Sequence, residues 1–398
     1  MKQNGIAAQF SGRPLWAEVD LSAVQRNFAA VRQLINSNRL SSEKPRKVLA
    51  VVKANAYGHG AVPVAKALSE AGADWLGVAC VAEGVELRDA GIQRPILVLG
   101  GCWPGEEKLL VDRTLTPAVT SCDQLPLLER AVARARRRGG RRFGFHLKTN
   151  TGMNRFGIAP KDVDCLARTM ASCRHLKLQG VFTHLASSEV LDSGETETQE
   201  KQFAGTLARM SALGYSPELI HMANSGALAA RPSTWGSMAR PGAAIYGYLP
   251  NYSPASRQKE FETRLCLEPA LSFRTRLVAI RNLEQGQGVG YNARFVTPKA
   301  SRIAVIAAGY ADGLMRGLSN RGRVIVRGQF APIVGNISMD SAMIDVTEVA
   351  GAALGDIVTI FGRDGQLSQT AADLSSTLGT VVHDVLCAIG TRVRRVYL

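Results

Sequence analysis

No stretch of the chain reaches the roughly 18 consecutive apolar residues that a membrane-spanning helix needs. Residues 1–11 lack the charged-then-apolar pattern of a secretion signal, which favours a cytosolic chain. Cysteine is sparse and scattered: Cys80, Cys102, Cys122, Cys165, Cys173, Cys266 and Cys387 are odd in number and form no Cys-x-x-Cys pair. That argues against a disulfide framework and a structural zinc, so no metal site is expected and the cysteines read as buried thiols of a reducing compartment. Acidic residues are in deficit, 33 against 48 Lys and Arg, for a formal charge of +15. Such an excess suits a nucleic-acid partner, an acidic membrane surface or the attraction of anionic ligands. The densest basic run, Arg134, Arg136, Arg137, Arg138, Arg141 and Arg142, has only Phe143 beside it for stacking. It is read as a solvated helix end and loop, with neither a nucleic-acid nor a membrane partner. Internal repeats and low-complexity tracts are also missing.

What is present is an ordinary globular composition, 46% hydrophobic over 398 residues, enough for two domains with cores of their own. Short β-branched runs at 48–52, 75–78, 96–99, 117–119, 143–147, 180–183, 219–222 and 238–243 alternate with helical patterns such as 61–70, 84–89, 125–138 and 197–213. Eight strands, each followed by a helix, predict a parallel (β/α)₈ barrel, an α/β fold. The breaker-rich stretch Pro250-Asn251-Tyr252-Ser253-Pro254 ends this pattern. Strand-like segments at 271–280, 303–307, 323–326, 343–346 and 357–361 then predict a smaller β-rich domain, with few helical patterns before Gln369. The expected domains are 14–260 and 261–398. Residues 16–21 alternate apolar and polar, which permits pairing with the β domain instead of the barrel.

Function in such barrels collects at the C-terminal ends of the strands. Those ends carry Lys53, Lys148, Arg155, His184, Asn224, Ser225, Arg240, Gly242 and Ala243. Each has a plain alternative: a lysine leaving a strand is usually a surface charge, a lone histidine a structural residue, and Gly242 a turn. Lys53 differs because it follows the apolar run Val48-Leu49-Ala50-Val51-Val52. A lysine at the mouth of an apolar barrel can lose its proton and become a nucleophile. Phosphate sites in barrels are often built after strands seven and eight, where Ser225, Gly242 and Ala243 fall. A lysine nucleophile facing a phosphate cradle describes a Schiff-base site for pyridoxal 5'-phosphate.

The run Val51-Val52-Lys53-Ala54-Asn55-Ala56-Tyr57-Gly58-His59-Gly60 resembles the cofactor-lysine signature of the alanine racemase family. Thr151-Gly152-Met153-Asn154-Arg155-Phe156-Gly157, Arg240-Pro241-Gly242, Gly290-Tyr291, Gly309-Tyr310-Ala311-Asp312-Gly313 and Met339-Asp340 follow in the family's order, so the resemblance covers about 14–397. It implies a fold-type III enzyme, a homodimer in which Tyr291 and Met339 reach the other subunit's cofactor. It further implies that Lys53 carries the cofactor while Tyr57, Ser225, Gly242 and Ala243 hold its phosphate, with His184 and Asn224 also at the cofactor. Arg155 then steadies the cofactor hydroxyl and the substrate carboxylate, Met339 touches substrate, and His184 lies near Tyr291. Lys148 matches a lysine that is carbamylated in some members. Tyr310, Arg316, Asn336 and Asp340 match supporting or entrance positions. The implied role is L-/D-alanine interconversion, supplying D-alanine for peptidoglycan.

Racemisation takes a proton from one face of the α-carbon and returns one to the other, which two opposed bases do directly. The freed amine of Lys53 is one candidate. The Tyr291 phenol is the other, although a reference pKa near ~10 makes it a weak base without cationic or donor neighbours, for which His184 is the candidate. Arg240 falls where many pyridoxal enzymes place a carboxylate. An arginine leaves the ring nitrogen unprotonated, which shortens the carbanion's life and discourages transamination. Two positions depart from the family pattern: His383 stands for a tyrosine that contacts phosphate and narrows the entrance, and Asn336 for an entrance arginine. These departures raise a racemase with serine activity or a broader range as the alternative. A decarboxylase of the same architecture, a cofactor-handling barrel without a β domain, and a dehydrogenase reading of Gly286-x-Gly288-x-Gly290 are further rivals. The last lacks the helix and acidic residue of a dinucleotide site.

Overall fold

The computed structural model describes residues 12–37, 40–135 and 142–398. They divide into two compact units: Ser22–Ala56 with Ala61–Glu268, and the chain up to Leu21 with Tyr57–Gly60 and Pro269–Leu398.

The first unit is built on eight parallel strands, β2 (Lys47–Val51), β3 (Trp75–Val78), β4 (Ile96–Val98), β5 (Thr116–Val119), β6 (Phe143–Lys148), β7 (Leu176–Phe182), β8 (Leu219–His221) and β9 (Met238–Ala239). They pair in chain order from β2 to β8, and β9 pairs with β2. No ladder joins β8 to β9. The gap is bridged by Ser237 N donating to Ile220 O and Arg240 N donating to Ala223 O, each at 2.9 Å. Strands covered on both faces read as continuous apolar runs, and Val48, Leu49 and Ala50 are fully buried. The eighth strand is shorter than expected, because Pro241 has no N–H to offer a ladder. A 3₁₀ turn, Ala243–Tyr246, follows it in place of an α-helix. Barrel interiors are filled by side chains, and here glycine makes the room: a Cβ on Gly180 would stand 2.7 Å from the His146 ring. The helix expected over 125–138 runs Gln124–Arg134. Arg136, Arg137, Arg138 and Arg141 of the basic run lie outside the described residues.

The second unit is a nine-stranded sheet in the order β18-β17-β14-β15-β16-β13-β10-β1-β19, with an extra β17–β10 pairing. Here β1 is Leu15–Val19, β10 Leu271–Leu283, β13 Ser301–Ile306, β14 Arg323–Val326, β15 Gln329–Val334, β16 Ala342–Asp345, β17 Ile357–Asp364, β18 Leu367–Gln369 and β19 Arg394–Tyr397. A short separate ribbon pairs β11 (Gly288–Val289) with β12 (Phe295–Val296). Sequence reading overlooked β15 because its hairpin turn, Arg327-Gly328 with φ of 50° and 71°, lacks the Asn-Gly signal of a two-residue turn. The thiols also correct expectation. Only Cys102 and Cys173 are buried, while Cys165, Cys266 and Cys387 are exposed. Cys122 meets the Cys165 side chain, and burial followed by that neighbour pushes its thiol up to about 11. No helix among the described residues is long and apolar enough to cross a membrane.

Candidate active site

The turn after β2 has an unusual backbone. Ala54, Asn55, Ala56 and Tyr57 all hold φ between 51° and 53°, four non-glycine residues in the left-handed region. Such a turn costs roughly 1–2 kcal/mol per residue, so it persists only where the surroundings impose it. Ala56 N donates to Val52 O at 2.9 Å, and Asn55 Oδ1 accepts from Ala61 N at 2.7 Å. Lys53, half-buried, stands at the head of this turn.

Four cations gather at the strand ends of the barrel unit. Burial, then Arg155, Arg240 and Lys53, pull the Lys148 amine down to about 8. Burial, then Arg240, Lys148, Arg155 and Lys53, pull His184 down to about 3, so it is neutral near pH 7. Sequence reading leaves His184 open as a cationic or a donor neighbour, and burial among cations favours the neutral donor. No carboxylate appears among these influences. Lys148 Nζ instead lies over the Phe156 and Phe182 rings at 5.4 and 5.7 Å, and Phe182 also carries the Arg240 guanidinium at 5.2 Å. A cluster of one sign with Lys148 and Arg240 buried in it is costly by itself, and an occupant with more than one acidic group would balance it.

Arg240 is buried and satisfied by acceptors. Its Nη2 donates to Thr183 O at 2.8 Å and Met222 O at 2.9 Å, with His184 Nδ1 at 3.4 Å. Nη1 donates to His221 Nδ1 at 3.1 Å. Burial draws the guanidinium down to about 9, still charged at neutral pH. A guanidinium only donates, so His221 keeps a lone pair on Nδ1 and its proton on Nε2. That Nε2 meets His146 Nδ1 at 2.9 Å, which fixes the His146 proton on Nε2 in turn. His146 Nε2 finds no hydrogen-bond partner among the described residues, and the His146 ring lies 5.0 Å from the Trp75 ring. Both imidazoles are held neutral by burial first and the Arg240 charge second. Sequence reading missed both. His146 has a signal, since it shares a strand face with Lys148, whereas His221 depends on barrel register.

Arg155, exposed, follows a loop pinned by Asn150 Oδ1, which accepts from Asn154 N at 2.9 Å. Across the strand ends, Asn224 caps Ser225–Ala230, its Oδ1 accepting from Ala227 N at 3.1 Å. Ser225 Oγ accepts from Gly242 N at 2.9 Å and Ala244 N at 3.2 Å, so a hydroxyl and two amides converge beside Ala243. Convergent amides beside a hydroxyl suit an anion.

The remaining expected residues belong to the second unit. Tyr57 and His383 face each other, ring centroids 5.3 Å apart. Asn336 Nδ2 donates to Tyr291 O at 3.1 Å. Asn336 and Arg316 line a cavity of about 470 Å³ with Asn292, Arg294, Gly317 and Ser319. Tyr310 N donates to Ser338 O at 3.0 Å, tying the Tyr310 turn to the loop of Met339. Buried Asp312 anchors both, accepting from Arg13 at 2.6 and 2.7 Å and from Arg392 at 2.6 Å, while Arg392 also donates to Asp340 at 2.6 Å. Burial works to raise the Asp312 carboxyl, but the donors from Arg13, Arg392 and Gly309 outweigh it and hold it below the usual range. Tyr291, Met339 and Tyr310 are 71%, 52% and 43% exposed.

Comparison with known proteins places these observations. Residues 19–250 match the family model for the alanine racemase N-terminal domain, and residues 270–397 that for the C-terminal domain. The alanine racemase of Symbiobacterium thermophilum is 40% identical over 385 residues, covering 97% of each chain. An alanine racemase structure from Clostridium difficile 630 superposes with a TM-score of 0.87 at 31% identity, over 97% of this chain and 96% of that one. A Bacillus anthracis alanine racemase with bound L-Ala-P gives 0.86 at 32% identity, over 98% and 96%. With both domain models matched in order and relatives aligned along nearly its whole length, the chain belongs to the alanine racemase family.

Proposed function

We propose that the chain racemises alanine by two-base proton transfer on pyridoxal 5'-phosphate. The observation that carries this reading is the gathering of Lys53, Lys148, Arg155 and Arg240 at the strand ends, close enough that the other three lower the unmodified Lys148 amine, a charge that an anionic phosphate and phenolate would balance. Pyridoxal phosphate, when bound, supplies the electron sink that makes the α C–H acidic. Lys53 would carry it, with Ser225, Gly242, Ala243 and Tyr57 at the phosphate and His184 and Asn224 bordering it. Arg155 would orient the substrate carboxylate. Arg240 would donate a hydrogen bond to the ring nitrogen while keeping its own proton. The Lys53 amine then moves the α-proton on one face and the Tyr291 phenol on the other, with neutral His184 able to assist only by hydrogen bonding. Exposed Tyr291 and Met339 would complete the partner's site in a homodimer, Tyr310, Arg316, Asn336 and Asp340 lining the entrance. The product would supply D-alanine for peptidoglycan. A chiral product assay across the common L-amino acids tests this: equal L- and D-alanine at equilibrium is expected, and carbon dioxide release from lysine, ornithine or arginine instead would sink it.

Lys148 would carry a carbamate. Only the neutral amine attacks carbon dioxide, releasing a proton, and with a pKa of about 8 roughly a tenth of it is neutral at pH 7. The resulting anion would face Arg155. Protein equilibrated with ¹³C-bicarbonate should show one carbamate resonance that grows from pH 7 to 9 and vanishes in Lys148→Ala. A spectrum unchanged by that substitution would rule the modification out.

A second reading, racemisation that also accepts serine, is favoured by His383. A polar ring beside Tyr57 offers a serine hydroxyl a partner that an apolar pocket lacks, where rejection is only modest. His383→Tyr is therefore expected to lower the serine-to-alanine ratio of kcat/KM by about 3- to 10-fold with the alanine reaction largely kept. An unchanged ratio would remove His383 from selectivity.

A further inference from the structure

Glu83 stands in the first turn of the helix Val81–Asp89, on the loop side of β3. A carboxylate there commonly serves its own helix start. One of its oxygens does so, Oε2 accepting from Ala79 N at 2.6 Å. The other does something a cap does not require. Oε1 accepts from Ala54 N at 2.7 Å, the amide directly after Lys53 and the first of the left-handed turn. The peptide plane between Lys53 and Ala54 is thereby fixed from the neighbouring strand's loop. That plane holds the backbone of the turn from which the Lys53 side chain projects.

We propose that Glu83 is a positioning residue for Lys53, its two oxygens bracketing Ala54 N and Ala79 N so that the strained turn holds the lysine amine in register with the reacting carbon. The proposal rests on the reading of Lys53 as the cofactor lysine. Two acceptors are needed, and only a carboxylate of this length provides them. Glutamine has the same shape but one acceptor, and its amide N–H₂ would confront one of the two backbone donors. Aspartate keeps the charge but is one methylene too short to reach both amides.

Glu83→Gln loaded with pyridoxal phosphate tests the role. It is expected to keep cofactor stoichiometry and alanine KM near those of the parent, to lose about tenfold in kcat, and to lose visible circular dichroism at the cofactor band as the lysine becomes less rigidly held. Glu83→Asp should show the same losses and serves where the glutamine variant does not fold. Ala82→Gly, exposed on the same helix turn, weakens the helix without touching Ala54 and should leave kcat and dichroism unchanged. If Glu83→Gln matches the parent in both while borohydride still fixes the label on Lys53, the positioning role is wrong. If the parent is labelled at another lysine, the reading of Lys53 falls and the role of Glu83 with it. If Ala82→Gly loses as much as Glu83→Gln, Glu83 is only a helix cap.

Discussion

Lys53→Ala is expected to end racemisation in both directions, lowering kcat by at least about 10⁴-fold, since a single proton-transfer base is itself worth 10²–10⁴ and here the same amine also anchors the cofactor. The loss should not come from unfolding. Lys53 is one of the charges that depress Lys148 and His184, so its removal relieves repulsion within the cluster. In the cofactor-free variant without bicarbonate, the uncarbamylated Lys148 should titrate closer to an ordinary lysine, and an unchanged far-UV dichroism spectrum should show that the fold is kept. Borohydride treatment of the loaded parent should fix the label on Lys53 alone. Substantial residual racemisation by Lys53→Ala, or a label on another residue, would remove the assignment.

Mixing two dead proteins is expected to restore activity. Tyr291→Phe lacks one base and Lys53→Ala the other. If Tyr291 serves the partner's site, a heterodimer of the two contains one site with neither base and one with both. Random exchange makes half of the dimers mixed, so about one site in four should be intact, and activity should rise from background to about a quarter of the parent's. No rise, with heterodimers demonstrated by mass, would put both bases on one chain. The 71% exposure of Tyr291 is the reason to expect the rise, since a catalytic phenol left in open water would gain nothing from its surroundings.

Much of the architecture was legible in the sequence because parallel strands covered on both faces are written as unbroken apolar runs, as in Val48-Leu49-Ala50-Val51-Val52. The lysine motif was legible because it is local. What escaped is what long-range register creates. Nothing near His146 points to His221, 75 residues away, and nothing near Ala54 points to Glu83, 29 residues away. Arg13 and Asp312 meet across 299 residues. The left-handed turn was hidden for a different reason: Ala54-Asn55-Ala56-Tyr57 contains no glycine, the residue that ordinarily announces positive φ. The exposure of Cys165 and Cys266 escaped because cysteine's usual burial is a tendency of composition, which a solvent-facing position on the helix Val163–Ala171 and a loop position after Leu265 override.

The chain changes unit at Tyr57, four residues after Lys53, and returns at Ala61. Within the C-terminal unit this short loan is tightly fitted: a Cβ on Gly58 would stand 2.2 Å from Leu386 O, and one on Gly60 2.0 Å from the Tyr397 hydroxyl. Chimeras between homologous enzymes therefore have a hidden linkage. A crossover placed in the linker near Glu268 looks clean along the sequence, yet it separates the glycines at 58 and 60 from the residues at 386 and 397 that they were fitted to. Recombinants that inherit these four positions from one parent should survive such a crossover, and mismatched ones should fail at the lysine turn, far from the junction itself.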